Sequence, residues 1–285
     1  MWFVHVVILA ILQGLAELLP VSSSAHVIVA ERLMGMDPAA PDTTLLLVML
    51  HTGTMLAVIA YFWARWRRAF FQSAEDFKRF VIALIIATVL TGIVGGILIK
   101  AIEKFAFPGG KSHAWVEELF GRLDLIAAAL AATGILILIA SAMEKRSRST
   151  QVPTTEVNPK QASWIGAVQG LCLPFRGFSR SGATISTGML VGVQKVRAED
   201  FSFALAVVLT PLVVAREVLR VVRTQHTGLA GSLVPGLVGA VFAFLAGLLA
   251  LKWLSRWLET GRWYLFGIYC LVASLVVAYL YHAGY

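Results

Sequence analysis

The chain has 285 residues, of which 58% are hydrophobic and only 14% charged. That charge content is well below the roughly 25% of an ordinary soluble domain, and the mean hydropathy of +0.79 points to an integral membrane protein. The formal net charge of +8 does not imply nucleic-acid binding, because the basic residues cluster in short loops between apolar runs, where they orient a membrane protein and meet anionic lipid.

The first element, about residues 2–35, is apolar but broken in the middle by Pro20 and Ser22, Ser23 and Ser24. It has a superficial likeness to a signal peptide. However, its start lacks Lys and Arg, and Gln13 and Glu17 interrupt the apolar stretch, so it is expected to stay in the mature protein. Gln13 and Glu17 stand four apart and share a helix face. Pro20 ends that helix, and the serines are favoured N-caps for the next. His26 falls in the following first turn, so a carboxylate, hydroxyls and an imidazole gather beside a helix N-terminus that favours anions.

Six further runs are long enough to cross a bilayer, which needs ~20 apolar residues. They are roughly 44–64, 80–100, 122–143, 201–222, 233–254 and 263–282. His51 and Thr52 lie inside the first of them and are expected to line a cavity or bond across helices, without a catalytic part. Trp63, Trp66, Trp253, Trp257 and Trp263 sit near span ends and suggest an interfacial belt. Residues 144–160 hold two prolines with several Ser and Thr and form a linker. A second broken element, 162–193, contains Arg176-Gly177-Phe178-Ser179-Arg180-Ser181-Gly182-Ala183-Thr184. Its guanidinium groups suit phosphate oxygens, and a helix starting near Ser181 would add N–H donors.

The two broken elements match each other. Gln13-Gly14-Leu15 returns as Gln169-Gly170-Leu171 at an offset of 156, and Ser179 falls opposite Ser23. Asp42 to Gly53 and Asp200 to Pro211 follow at nearly the same offset. The expected fold is therefore an all-α integral membrane protein of six transmembrane helices and two re-entrant hairpins in an inverted-topology repeat. It forms a single membrane domain, with half 1 about 1–143, the linker 144–160 and half 2 about 161–285. Such repeats meet at a midplane site, and polar groups there are functional candidates. The Lys/Arg-rich loops, such as Arg65, Arg67, Arg68, Lys78 and Arg79, mark the cytoplasmic face.

An acid, base and nucleophile set facing a phosphate cradle fits phosphoryl transfer. Glu17 as a mere ion-pair partner of Arg180 is the strongest plain alternative.

ELLPVSSSAH and GFSRSGAT resemble the two signature regions of the bacterial undecaprenyl pyrophosphate phosphatases, the bacitracin-resistance family. Gln13, Glu17 and His26 match the first motif; Gly177, Ser179, Arg180, Ser181 and Thr184 match the second, while Arg176 replaces a proline. The resemblance implies hydrolysis of a polyprenyl diphosphate to the monophosphate, recycling the cell-wall lipid carrier and conferring bacitracin resistance. The implied catalytic set is Glu17, Ser23, His26 and Arg180, with Ser23 favoured as nucleophile and His26 as its base, since a hydroxyl needs an adjacent base, and with the reverse, a phosphohistidine, left open. Substrate contacts fall to Gln13, Ser22, Arg176, Gly177, Ser179, Ser181 and Thr184, with Glu17 as the candidate ligand of a divalent cation such as Mg²⁺ or Ca²⁺. Expected partners are the lipid substrate and the bilayer, with a homodimer as one assembly. The site would face the outer side of the bacterial inner membrane. The competing function is a polyprenyl-phosphate flippase using the same midplane site.

Overall fold

A computed structural model describes residues 2–36, 41–106, 122–147, 154, 156–224 and 229–284. Ten helices account for the architecture there: α1 (Trp2–Leu18), α2 (Ser23–Leu33), α3 (Pro41–Phe70), α4 (Ala74–Ala106), α5 (Leu123–Ser147), α6 (Pro159–Leu171), α7 (Arg180–Leu190), α8 (Lys195–Thr224), α9 (Leu229–Glu259) and α10 (Trp263–His282). Among the described residues the only β-type pairing is an isolated bridge between Thr154 and Val193. The protein is an all-α membrane protein.

Five helical stretches are long and apolar enough to cross a bilayer: Leu45–Phe70, Ala74–Phe105, Leu123–Glu144, Val234–Glu259 and Trp263–His282. The sixth expected run lies in α8, a 30-residue helix whose first turns carry Lys195, Arg197, Glu199 and Asp200. In contrast, α2 and α7 have 11 residues each. At 1.5 Å per residue that is about half of a ~30 Å hydrocarbon layer, so neither can span it alone. Both broken elements are therefore helix–turn–helix hairpins, interrupted where the proline and serine signals fall.

Small residues bring the helices together. On α4, Ile82, Ile85, Val89, Ile93 and Ile97 form an exposed stripe at helical spacing, the lipid-facing side. The opposite face presents Ala87 and Gly95 to α6. A Cβ on Gly166 would lie 2.3 Å from the Ala87 carbonyl oxygen, and one on Gly170 only 3.0 Å from the Gly95 nitrogen. The same close approach recurs where α1 meets α9: a Cβ on Gly14 would stand 2.6 Å from the Ala243 oxygen. Without a hydrophobic drive between helices in lipid, backbone proximity of this kind carries association. The two hairpins pack alike, with α1 on α9 and α2, and α6 on α4 and α7.

At one end of the bundle, Arg65 of α3 reaches Glu199 at 2.9 Å and Asp200 at 2.8 Å on α8. Ser255 of α9 donates to Glu199 at 2.7 Å. Arg65 was expected simply as a loop cation, but here it pairs with two nearly inaccessible carboxylates, Asp200 having Arg197 as well at 3.5 Å, and ties three helices together. The tryptophan belt also needs correction. Trp63 and Trp253 are exposed, but Trp66 and Trp263 are buried and donate to the Asp200 carbonyl and to Ser186 Oγ. A buried indole N–H finds a partner inside, so proximity to a span end did not place these two rings at the interface.

Candidate active site

The site forms where the two hairpin turns meet. Glu17 lies on the last turn of α1, just before the break at Pro20, and Arg180 is the first residue of α7. Arg180 Nη2 donates to Glu17 Oε1 at 2.8 Å. Ser23, the first residue of α2, donates its hydroxyl to Glu17 Oε2 at 2.5 Å, and Gln13 Nε2 reaches the same oxygen at 3.2 Å. His51 Nε2 of α3 stands 3.7 Å from it. One carboxylate thus collects a hydroxyl, an amide, a guanidinium and an imidazole from four elements.

The turn between α1 and α2 is unusual. Ser22 has φ +66°, the only positive value among described non-glycine residues, and its side chain makes no capping bond. The expected serine N-cap is thus not formed by Ser22. Its hydroxyl lies 3.4 Å from Ser24 Oγ, and its carbonyl accepts from His26 Nδ1 at 2.7 Å. A non-glycine residue held at positive φ costs of order 1–3 kcal/mol and persists only where surroundings over-determine it, a pattern concentrated at functional sites.

The structure does not join His26 to Ser23. Its Nδ1 is taken by the Ser22 carbonyl, and its Nε2 lies 2.6 Å from the Tyr269 hydroxyl of α10, with the two rings stacked. Ser23 is bonded to Glu17 instead. Tyr269 carried no signal in the sequence beyond being one aromatic in an apolar span.

On the second hairpin, Gly177 adopts φ +101°, and a Cβ there would meet the Ile126 oxygen at 2.5 Å, so glycine is required. Ser179 caps α7 by accepting from Gly182 N at 3.2 Å, while its own N–H donates to Thr133 Oγ1 at 3.0 Å. Ser181 donates to the Leu19 carbonyl at 3.2 Å, joining the two turns directly. Thr184 shares a 2.6 Å hydrogen bond with Ser202. These three hydroxyls are buried and hydrogen-bonded to protein partners that hold the turn together. Arg176 lies on that turn, half-buried. Arg180 Nη1 is buried and without a hydrogen-bond partner among the described residues. An unused guanidinium donor beside a cleft suits an anion, because leaving it unmet is costly.

That cleft is bounded by Glu17 and Arg180 at its polar end and by His51, Met55, Val207 and Thr210 along its walls. The described residues offer no cluster of three or more His, Cys, Asp or Glu suited to a metal. Glu17 is a lone carboxylate with both oxygens already accepting from protein donors. This donor set does not fit a resident divalent cation, which needs several oxygen ligands.

The structure thus gathers a carboxylate, a hydroxyl and a guanidinium where the two hairpin turns of this membrane protein meet. The chain belongs to the family described as bacitracin resistance protein BacA, matched over residues 6–276. It is 56% identical over 280 residues to undecaprenyl-diphosphatase 2 of Acinetobacter baylyi, covering 96% of each chain. It is 36% identical over 286 residues to undecaprenyl-diphosphatase 2 of Burkholderia ambifaria, covering 96% of this chain and 95% of that one. A third relative, undecaprenyl-diphosphatase 1 of Burkholderia pseudomallei, is 36% identical over 296 residues, covering 99% of this chain and 98% of its own.

Proposed function

We propose that the protein hydrolyses undecaprenyl diphosphate to the lipid monophosphate and phosphate. The observation that carries this reading is the Glu17 carboxylate held between the Ser23 hydroxyl and the Arg180 guanidinium. Ser23 Oγ attacks the terminal phosphorus while its proton passes to Glu17, to which it is already bonded. Arg180 turns its unused Nη1 toward the phosphate oxygens and neutralises charge that develops as the bridging P–O bond breaks. His26 braces the strained turn through Ser22 and Tyr269 and so positions Ser23. The apolar walls of the cleft take the first isoprene units, and lipid enters from the bilayer.

The basic loops support an inner-membrane protein with the site open to the outer side. The like packing of the two hairpins supports two inverted halves meeting at that site. A divalent cation enters this reading only in company with the diphosphate, whose oxygens supply ligands that the described residues lack. The flippase alternative draws no support from the relatives, which carry diphosphatase names.

The test is phosphate release from a polyprenyl diphosphate by purified protein in detergent, for wild type and Arg180→Ala, with EDTA and with added Mg²⁺ or Ca²⁺. Release by wild type that is lost in the variant supports the reading. Folded, lipid-binding protein that releases no phosphate under any ion refutes it.

A further inference from the structure

The site contains a second imidazole that the sequence did not mark as catalytic. His51 Nδ1 lies 2.7 Å from the Leu47 carbonyl oxygen of its own helix. A carbonyl has no proton to give, so Nδ1 carries a hydrogen, and Nε2 is the nitrogen left to exchange a proton. That nitrogen faces Glu17 Oε2 at 3.7 Å, the same oxygen that accepts from Ser23. Its side chain is 39% exposed against 16% for Glu17, so the imidazole is the more accessible of the two groups. The neighbouring Thr52 turns away and bonds the Val48 carbonyl at 2.9 Å.

The ionisable groups lining the cleft with His51 are Glu17 of α1 and Arg180 of α7. From α8 the lining residues are Ala206, Val207 and Thr210. The stretch of α9 from Leu229 to Leu251 has no ionisable side chain, and residues 80–99 of α4 have none either. His51 is therefore the lone titratable acceptor in this cleft beyond Glu17, among the described residues. His26 cannot serve as well, because both of its nitrogens are engaged elsewhere.

Hydrolysis of a diphosphate ester by water yields two phosphates and, near neutral pH, one net proton. Resting on the diphosphatase reading above, we propose that His51 is a catalytic residue that takes this proton from the attacking water. In the first step the Ser23 Oγ–P bond forms, the bridging P–O bond breaks, the lipid monophosphate leaves, and Glu17 holds the serine proton. In the second step water attacks phosphorus and the Oγ–P bond breaks. Oγ takes back the proton from Glu17, and the water's own proton passes to His51 Nε2. The imidazolium then loses that proton at the cleft opening, and the site returns to its starting state. Glu17 and His51 thus divide the work: the buried carboxylate cycles one proton with Ser23, and the exposed imidazole exports one per turnover.

The experiment follows a polyprenyl diphosphate labelled in its terminal phosphate, using full-length protein in detergent. Wild type, His51→Gln, His51→Asn and Thr52→Ala are compared for turnover, the initial burst of lipid monophosphate, and label retained on protein. Removing a general base costs about 10² to 10⁴-fold, so both His51 variants should turn over at least about 10²-fold more slowly. They should still bind the lipid, still give a burst of about one monophosphate per chain, and retain label on Ser23. Thr52→Ala should behave as wild type. Turnover of His51→Gln within about fivefold of wild type overturns the proposal. So does an equal loss of burst and turnover without retained label, or loss of lipid binding in both variants, since each assigns His51 to binding or structure. A wild-type protein that releases no phosphate at all would instead fail the diphosphatase reading itself.

Discussion

Glu17→Gln is the substitution that separates the chemistry of the site from its architecture. The amide keeps the size of the carboxylate, and its oxygen can still accept from Arg180 at the position now occupied at 2.8 Å. What disappears is the carboxylate oxygen Oε2, to which the Ser23 hydroxyl donates at 2.5 Å, and the negative charge opposite Arg180. A general base is worth about 10² to 10⁴-fold, and a mid-range loss of about 10³-fold corresponds to roughly 4 kcal/mol of transition-state stabilisation. Ground-state binding moves the other way. Arg180, its side chain 19% exposed, is left without a fixed counter-charge, so the anionic diphosphate becomes its best partner. The expected outcome is a kcat about 10³-fold lower with lipid-diphosphate affinity equal to or tighter than wild type. Phosphate release and equilibrium binding of the labelled lipid measure the two quantities separately. A variant retaining more than about a tenth of wild-type kcat would refute the assignment of Glu17 as base. A collapse of binding alongside activity would make it a structural partner of Arg180, the plain alternative raised by the sequence.

Two further substitutions probe the scaffold. Gly14→Val places side-chain atoms where a Cβ alone would already sit 2.6 Å from the Ala243 oxygen, so α1 must move off α9. Overpacking of this kind costs about 1–3 kcal/mol, read as a lower melting temperature in detergent. Because α1 carries Glu17, phosphate release should fall with it. Arg65→Ala removes the cation shared by Glu199 and Asp200, whose side chains are each 1% exposed. Asp200 keeps Arg197 at 3.5 Å, but Glu199 loses its cation, and an uncompensated buried charge costs about 3–5 kcal/mol, so this variant should show the larger thermal shift although it lies away from the site. An unchanged melting temperature would mean that water reaches both carboxylates.

Much of the site was legible because its signals are local. Pro20 ends a helix wherever it stands, Glu17 and Arg180 are too costly in an apolar stretch to be incidental, and the matching offsets of the two hairpins make them a pair. Hydropathy likewise marked the long spans, since lipid imposes its requirement on each helix separately. Partner choice was not legible. Ser23 and His26 lie three residues apart on α2, and proximity suggested a nucleophile with its base, yet one side chain turns to α1 and the other to α10. Ser179, Ser181 and Thr184 were substrate contacts by resemblance, and no local signal told that their hydroxyls are buried against protein partners.

By itself the sequence determined the apolar helices, the two broken hairpins and the residue types that can move a proton or hold a phosphate, because each depends on neighbours within a few turns of chain. Only the tertiary structure decided which groups meet. Close packing at Gly14, Gly166 and Gly170 sets where the hairpins sit against α9 and α4. α3 then brings His51 to Glu17, and Arg65 is drawn inward to carboxylates more than 130 residues away. Those contacts depend on side chains from distant helices filling one another's gaps, which no local pattern encodes.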